Sequence, residues 1–178
     1  GPKCTGLCVD LSSESSVREM GEATVHRFSN KVNIVFNSAG INVRNPIEKI
    51  SLDEWEKIQR VNITGAFLLA RTMFPLLKAA NNWARLINIT SIFSSRSFPE
   101  RTSYSSSKGA LIQMSRTLAL EWAPHGITVN SISPGPFLTE LNKPVLDNPE
   151  NYRQFCENIP LRRFGEPHEI ATTALFLA

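Results

Sequence analysis

The hydrophobic positions of this chain alternate between short β-branched runs and longer stretches with helical spacing. This alternation is typical of an α/β protein. Four runs have the composition of strands: "TGLCVDLS", "VNIVFNSAG", "ARLINITS" and "ITVNSISPGP". We predict that the first run ends as a strand at Asp10. The second is almost continuously apolar and ends at Gly40, which indicates a strand buried on both faces.

Four other stretches have the periodicity of helices. Their approximate limits are 13–29, 51–80, 103–123 and 166–178. In the first of them, Val17, Met20 and Phe28 form the predicted inner stripe. The last carries Pro167 in its first turn, where proline is favoured.

The second helical stretch opens with a capping box at residues 51–54, and we predict that Gly65 and Pro75 interrupt it without ending it. Residues 136–160 contain several prolines and no sustained period, so we predict a mobile flap there. No repeat or linker divides the chain. We therefore expect one domain over residues 1–178 with a doubly wound, Rossmann-like parallel sheet, whose ligand lies at the carboxyl ends of the strands.

Composition and charge exclude several functional classes. Hydrophobic residues at 42% and charged residues at 20% are ordinary for a globular protein. The net charge is +3, but the basic residues are scattered among acids, which disfavours nucleic-acid binding. Charges break the apolar stretches before the roughly 18 residues that a membrane helix needs. Because the first residues do not resemble a signal peptide either, we expect a cytoplasmic protein with no nucleic-acid or membrane partner.

The cysteines and histidines do not have the spacing of a metal site. They are Cys4, Cys8 and Cys156, and His26, His125 and His168. The odd number of cysteines indicates reduced thiols, and the histidines are far apart in polar settings, so we expect no metal. Asn62 and Asn88 each begin a glycosylation sequon, but both lie in apolar stretches, and we interpret the matches as chance.

The candidate chemistry is concentrated in "YSSSK", where Tyr104 and Lys108 are four residues apart at the start of a helix. This spacing places both side chains on one helical face. A nearby ammonium lowers the pKa of a tyrosine, which would let Tyr104 act as a general acid or base. Taken alone, the pair also fits two surface residues of an exposed helix start.

Three further features give the pair a context. Ser91 ends the preceding strand and would face the start of the Tyr104 helix, where its hydroxyl could bond a substrate oxygen. Asn62 lies in an apolar helical run, so its amide has either a functional partner or a satisfied contact in the core. Residues 37–40, with the sequence NSAG, allow the backbone to turn tightly and approach a ligand.

With these residues in place, the chain resembles the short-chain dehydrogenase/reductase family in its common form. The matching motifs keep the family's order and spacing over essentially the whole chain, and together they are specific. They are Asp10 after the first strand, NSAG at 37–40, VNITG at 61–65, INITS at 87–91, YSSSK at 104–108, VNSISPGPFLT at 129–139 and PLRRFGEP at 160–167.

The resemblance implies catalytic roles for four residues. Tyr104 would exchange a proton with the substrate oxygen, and Ser91 would hold and polarise that oxygen. Lys108 would bind the nicotinamide ribose hydroxyls and lower the pKa of Tyr104. Asn62 would orient a water that connects Lys108 to solvent as a proton relay.

The resemblance also implies NAD or NADP as the cofactor, which itself supplies the hydride chemistry. Tyr104 and Lys108 would contact it. The residues that would line the adenosine site are Asp10, Asn37, Ser38, Ala39 and Gly40. Those that would lie against the nicotinamide are Pro134, Gly135 and Thr139.

The sequence departs from the family pattern in two ways. Ser38 stands where the family has a second asparagine, so we expect one fewer hydrogen bond between neighbouring strands. The family's opening strand, its glycine-rich T-G-x-x-x-G-x-G turn, its second strand and its last strand do not occur in these residues. We therefore expect a fragment truncated at both ends. The missing strands would lie between residues 7–10 and 33–37, so the first strand would lose its partner and the next would become an open edge.

The resulting hypothesis is an NAD(P)-dependent oxidoreductase that transfers a hydride between a nicotinamide cofactor and a small alcohol or ketone. The segments PGPFLTELNKPVLDNPE and PLRRFGEP most resemble sugar-acid dehydrogenases of the gluconate 5-dehydrogenase type, which act on gluconate and 5-ketogluconate. Reductases of the 3-oxoacyl carrier-protein type and tropinone-reductase-like carbonyl reductases are alternatives. A hypothesis of another class is a truncated, non-catalytic relative that acts as an interaction or structural protein.

The resemblance implies a homodimer or homotetramer as well, because the family pairs its two long helices across a subunit interface. In this chain those helices are about 51–80 and 103–123. The stripe within the second one also fits burial against the sheet alone. Its members are Leu111, Met114, Leu118 and Trp122.

Overall fold

The centre of the structure is a three-stranded parallel sheet. The structure is a computed structural model, and it describes residues 4–81 and 83–178. The strands are β1 (Ile34–Asn37), β2 (Ala84–Ile89) and β3 (Ile127–Ile132), in the order β1-β2-β3. The register aligns Asn37 with Asn88 and Asn88 with Ser131, so the carboxyl ends of the strands meet at one edge. The predicted α/β class and the parallel, Rossmann-like sheet are confirmed.

Helices of very different length accompany the sheet. They are α1 (Glu14–Phe28), α2 (Leu52–Gln59), α3 (Gly65–Lys78), α4 (Thr102–Trp122), α5 (Lys143–Leu146), α6 (Pro149–Glu157) and α7 (Pro167–Leu177). A π-helical turn, Arg60–Thr64, joins α2 to α3. Short 3-10 turns occur at Ile47–Lys49, Ile92–Ser94, Ala123–His125 and Glu140–Asn142.

The main hydrophobic core lies between one face of the sheet and the helices α3 and α4. Leu77 of α3 is fully buried there, and Trp122 at the end of α4 packs against Phe74 with ring centroids 5.0 Å apart. Burial of each such side chain contributes about 2 kcal/mol. Helix α1 packs on α3, and a β-carbon at Gly21 would lie 2.4 Å from the methyl of Thr72. Gly21 therefore allows the two helices to approach closely.

Several elements have their predicted limits. Helix α4 matches the predicted 103–123 to within one residue, and α7 begins at Pro167 as expected. The capping box is confirmed, because the Ser51 hydroxyl accepts a hydrogen bond from the Glu54 amide (3.2 Å) and the Glu54 carboxylate accepts one from the Ser51 amide (3.0 Å). Helix α2 therefore begins where the sequence predicts.

The predicted strand that ends at Asp10 is wrong, because residues 4–10 form no strand. No strand in the described part of the chain pairs with this segment, and Leu7 is 54% exposed. The expected open edge is confirmed at β1. The predicted burial of this strand on both faces is wrong, since Ile34 and Phe36 are 40% and 44% exposed.

The inner stripe of α1 is shorter than predicted. Val17 is buried and Met20 packs against the core, but Phe28 is 56% exposed. Phe28 is the last residue of the helix, and the chain turns away at Ser29, which is left-handed with φ of 51°. The stripe therefore ends before the last turn of α1.

The break in the second helical stretch lies at the π turn, and Pro75 stands inside α3 without ending it. Gly65, predicted as an interruption, has a packing role instead. A β-carbon on Gly65 would lie 2.8 Å from the carbonyl oxygen of Leu11. The absence of a side chain there lets the segment before α1 pack against the start of α3.

The segment 136–160, predicted as a mobile flap, contains the short helices α5 and α6. Both helices are too short for a periodicity to be evident in the sequence. They enclose a small second core of Val145, Cys156 and Phe164. The mobility of the segment 136–160 stays a prediction.

Candidate active site

The first two turns of α4 place Tyr104 and Lys108 beneath the carboxyl edge of the sheet. Both are buried, with 7% and 3% of their surfaces exposed, which excludes the interpretation of two surface residues. The ammonium of Lys108 lies 5.8 Å from the centroid of the Tyr104 ring, and Phe93 meets the same ring edge-on at 6.4 Å. The helix therefore presents the pair to the interior of the protein.

Lys108 is held by the end of β2. Its ammonium donates a hydrogen bond to the carbonyl oxygen of Ile89 (2.8 Å), its one hydrogen bond among the described residues. A β-carbon at Gly40 would lie 3.2 Å from the Lys108 nitrogen and 3.4 Å from the Asn62 side-chain oxygen. Gly40 thus keeps the space beside the ammonium open. Burial lowers the pKa of Lys108 from 10.5 to about 8.

Ser91 lies beside Tyr104. It is buried directly after β2, and its extended backbone begins the 3-10 turn Ile92–Ser94, where its hydroxyl accepts a hydrogen bond from the Phe93 amide (3.2 Å). The same hydroxyl is close enough to the Tyr104 hydroxyl to act on its pKa. The structure therefore brings Ser91, Tyr104 and Lys108 together, as the sequence predicted.

The pKa of Tyr104 differs from the expectation. It is raised above 10.0, chiefly because burial disfavours the phenolate, while the nearby Ser91 hydroxyl and the positive charge of Arg101 act in the opposite direction. The net shift is opposite in sign to the lowering expected from Lys108, because desolvation outweighs the favourable contacts, and the effect of Lys108 itself stays a prediction. The Tyr104 hydroxyl therefore holds its proton more firmly than a tyrosine in water.

Asn62 is the central residue of the π turn and is fully buried. Its side-chain oxygen accepts a hydrogen bond from the Ile41 amide (2.8 Å). Its side-chain nitrogen donates to the Ile41 carbonyl (2.9 Å) and to the Ser107 hydroxyl (3.0 Å). Both amide hydrogens are used, so the side chain is a satisfied amide that fixes the loop after β1 against α4. Its part in a proton relay stays a prediction.

A buried chain of side chains crosses the sheet at the same edge. Asn37 donates to Asn88 (3.0 Å), and Asn88 donates to Ser115 on α4 (3.0 Å). The Asn37 oxygen also accepts from the Ala39 amide (3.3 Å), which shapes the turn after β1. Asn88 was missed as a site residue. The signal was available, because a buried asparagine in an otherwise apolar strand requires a partner.

The remaining predicted cofactor residues lie farther out. Asp10 is exposed and accepts hydrogen bonds from the Ser12 amide (2.8 Å) and hydroxyl (2.7 Å), which lower its pKa. Ser38, Gly135 and Thr139 are exposed. The carbonyl of Pro134 accepts a hydrogen bond from the Ile92 amide (3.0 Å) and so joins the end of β3 to the turn after Ser91. No hydrogen bond or ion pair in the described residues joins Asp10, Ser38, Gly135 or Thr139 to Tyr104 or Lys108.

Two arginines at this site were not identified from the sequence. Arg101 directly precedes α4 and is 5% exposed, and Arg44 is partly buried on the loop after β1. The pKa of Arg101 is lowered to about 10, first by burial and then by the charge of Arg44. A charged residue before a helix has the same sequence pattern as a surface residue, so no signal distinguished Arg101.

Metal-binding and membrane-spanning features are absent from residues 4–81 and 83–178. These residues contain no group of histidine, cysteine and acidic side chains arranged for a metal ion, and none of their helices is long and apolar enough to cross a membrane. Cys4, Cys8 and Cys156 are free thiols. The chemistry of the described residues is therefore concentrated at the carboxyl edge of the sheet.

Comparison with known proteins gives extensive matches. A family model described as enoyl-(acyl carrier protein) reductase matches residues 1–178. The chain is 34% identical over 179 residues to the rhamnolipids biosynthesis 3-oxoacyl-[acyl-carrier-protein] reductase of Pseudomonas aeruginosa, covering 98% of this chain and 70% of that protein. It is 35% identical over 180 residues to a tropinone reductase homolog of Arabidopsis thaliana, covering 98% and 68%.

A solved structure agrees in fold over the same length. The gluconate 5-dehydrogenase from Burkholderia cenocepacia, in complex with NADP and tartrate, has a TM-score of 0.88 and 31% identity. The alignment covers 95% of this chain and 66% of that one. The chain therefore spans about two thirds of the length of the proteins to which it is similar.

Proposed function

Since the chain belongs to the short-chain dehydrogenase/reductase family, we propose that it is an NAD(P)-dependent oxidoreductase that interconverts a small alcohol and its ketone. The observation that carries the proposal is the burial of Ser91, Tyr104 and Lys108 at one place, with the Lys108 ammonium 5.8 Å from the centroid of the Tyr104 ring. A phenol, a hydroxyl and an ammonium in this arrangement supply what proton transfer to a carbonyl oxygen requires.

Each of the three side chains has one part in the reaction. The protonated Tyr104 hydroxyl donates its proton to the carbonyl oxygen of the ketone, and the Ser91 hydroxyl holds that oxygen in place. The positive charge of Lys108 stabilises the phenolate that remains. In the direction of alcohol oxidation the same phenolate takes the proton back.

The residues present fit one half of the cofactor. Lys108 is buried with one hydrogen bond among the described residues, so its other ammonium hydrogens suit ribose hydroxyls, and Gly40 keeps that space open. Residues 37–40 and 134–139 would flank the dinucleotide, which supplies the hydride when bound. The 178 residues contain no glycine-rich turn that could bind the pyrophosphate of the dinucleotide. The affinity of this chain for NADH and NADPH is therefore measured directly in the titration below.

For the substrate, we propose a sugar acid such as gluconate or 5-ketogluconate. The likeness to the gluconate 5-dehydrogenase structure supports it. The relatives described as a 3-oxoacyl carrier-protein reductase and a tropinone reductase homolog support two alternatives in the same reaction class.

A second proposal of another class is a non-catalytic interaction protein. The open edge at β1 favours it, because an unpaired strand is a template for another chain. Titration with NADH and NADPH separates the two proposals. Micromolar binding favours the enzyme, and no binding at millimolar concentration favours the interaction protein.

The experiment that tests the enzyme is Tyr104→Phe, with Tyr152→Phe as the matched control. Tyr152 packs against Phe164 in the second core, away from the three proposed catalytic side chains. With 5-ketogluconate as substrate, we expect Tyr104→Phe to slow turnover at least about 100-fold, because general acid catalysis contributes that much. Its affinity for NADPH should stay within about twofold, since the ring remains. Wild-type turnover by Tyr104→Phe would overturn the proposal.

The oligomeric state stays a prediction as well. Leu111 and Trp122 of the α4 stripe are buried in the monomer, whereas Leu120 on the same helix is 79% exposed. An exposed leucine on the outer face of α4 supports the proposed pairing of subunits. Sedimentation equilibrium of wild type and Leu120→Glu tests it, and we expect the variant to shift the protein toward the monomer.

A further inference from the structure

Arg101 is a buried charge without a carboxylate partner. Its side chain is 5% exposed, and its one side-chain hydrogen bond among the described residues runs from Nη1 to the Glu100 carbonyl, at 3.3 Å. None of the ion pairs in the described part of the chain includes it. Burial of an unpaired guanidinium costs several kcal/mol, so buried arginines are normally paired with an anion.

The side chain has no structural task that explains this cost. Arg101 is the N-cap residue of α4, but it caps the helix through its carbonyl oxygen, which accepts from the Ser105 amide (2.7 Å), and its side chain makes no capping bond. The preceding residue, Glu100, adopts a left-handed backbone with φ of 62°, which is unfavourable for a residue other than glycine. The backbone is therefore strained at the residue directly before Arg101.

A second cation strengthens the positive field. Arg44 is close enough to Arg101 for their charges to repel each other. It is fixed by a hydrogen bond to the Asn142 side-chain oxygen (3.1 Å) and lies over the Phe155 ring at 5.9 Å. Glu100 attracts both guanidinium groups but forms an ion pair with neither within the described residues. Two adjacent guanidinium groups with no paired carboxylate favour an anion between them.

The position of this pair relates it to the reaction. Arg101 is three residues before Tyr104, and its charge acts directly on the Tyr104 hydroxyl. We propose that Arg101 binds a carboxylate of the substrate, so that the chain acts on hydroxy acids and keto acids in preference to neutral ketones. This inference rests on the proposed function of the same site. The planar guanidinium matches a carboxylate with two parallel hydrogen bonds, and a neutral substrate would leave it unpaired.

The test measures carboxylate binding without turnover. Gluconate, acetoacetate and neutral glucose are titrated into wild type and three variants by isothermal calorimetry. The variants are Arg101→Gln, Arg101→Lys and, as the matched control, Arg96→Gln, which alters an exposed arginine on the same loop. We expect wild type to bind at least one of the two carboxylates and not glucose. Arg101→Gln should weaken that binding about 10- to 100-fold, and Arg101→Lys less, because hydrogen bonds to charged groups have this magnitude.

Three outcomes would overturn the inference. The first is wild-type carboxylate affinity in a folded Arg101→Gln or Arg101→Lys variant, and the second is no carboxylate binding by wild type. The third is an equal loss of NADPH affinity in Arg101→Gln, which would identify a cofactor phosphate as the anion. Arg96→Gln should change the affinities by less than about twofold. The proposed function fails through Tyr104→Phe instead, so the two failures are distinguishable.

Discussion

Replacement of Lys108 by methionine should stabilise the fold at neutral pH while it abolishes activity. The residue is buried, and its only hydrogen bond among the described residues is to the Ile89 carbonyl. Methionine has a similar length and no charge, so it can occupy the same space among the residues around Gly40. The change removes a charge that the proposed reaction needs and that folding has to desolvate.

The magnitude follows from the pKa of Lys108, which burial lowers from 10.5 to about 8. Each pKa unit corresponds to about 1.4 kcal/mol, so the buried ammonium costs about 3 kcal/mol of folding free energy below pH 8. Loss of the hydrogen bond to Ile89 offsets about 1 kcal/mol of the stability gained by removing the buried charge. The variant should therefore be about 2 kcal/mol more stable than wild type at pH 7.

The sign of the difference should change with pH. Between pH 8 and 10.5 the unfolded chain binds the Lys108 proton more tightly than the folded chain, so wild-type stability gains over that window. The methionine variant has no such gain. Its advantage should vanish within the window and become a deficit of about 1 kcal/mol above it, where only the lost hydrogen bond remains.

Urea unfolding followed by circular dichroism at several pH values between 7 and 10.5 measures this difference, because groups common to both proteins cancel. Lys57→Met, at an exposed position of α2, is the control and should change stability by less than about 0.5 kcal/mol at every pH. A Lys108→Met variant that is less stable than wild type at pH 7, or a difference that does not depend on pH, would refute the reasoning.

Two further changes test the packing around the site. Gly165→Ala should destabilise the fold by about 2 kcal/mol in the same urea unfolding assay, because the new β-carbon would lie 2.5 Å from the Phe137 ring. Gly135→Ala is the control. Its β-carbon would meet no atom within 4 Å, so it should leave the stability nearly unchanged. Asn88→Ala should cost about 2–4 kcal/mol, since two buried hydrogen bonds are lost. Thr128→Ala, on an exposed strand position, should cost under about 1 kcal/mol, and an equal cost for the two would argue against the buried amide chain.

The elements that could be predicted from the sequence are those whose signals are local. Helix α4 has a long apolar period, so its limits follow from neighbouring residues alone, and the capping box fixes the start of α2 in the same way. Residues 4–10 have the composition of a strand, but a strand forms only beside a partner, and the sequence of one segment does not contain its neighbours. The same reason explains the exposed face of β1.

The candidate site also has features that could be predicted from the sequence and features that could not. The residue types and the spacing of Ser91, Tyr104 and Lys108 were sufficient to bring them together. The direction of the Tyr104 pKa was not predictable, because it depends on how completely the folded chain removes water from the hydroxyl. Arg101 escaped notice for a related reason, since its burial also depends on how the folded chain surrounds it.

The π turn at Arg60–Thr64 has a consequence for which changes of chain length this protein can tolerate. A π turn holds one residue more than an α-helical turn of the same height, and each helical residue rotates the side chains by about 100°. Because the extra residue is accommodated within one turn, deletion of a single residue there would allow a regular helix to form with α3 still in phase, and it would move the Asn62 side chain out of its place. Changes of length are therefore better tolerated in the loops than in this helix. The two hydrogen bonds between the Asn62 amide and Ile41 depend on the number of residues in the π turn.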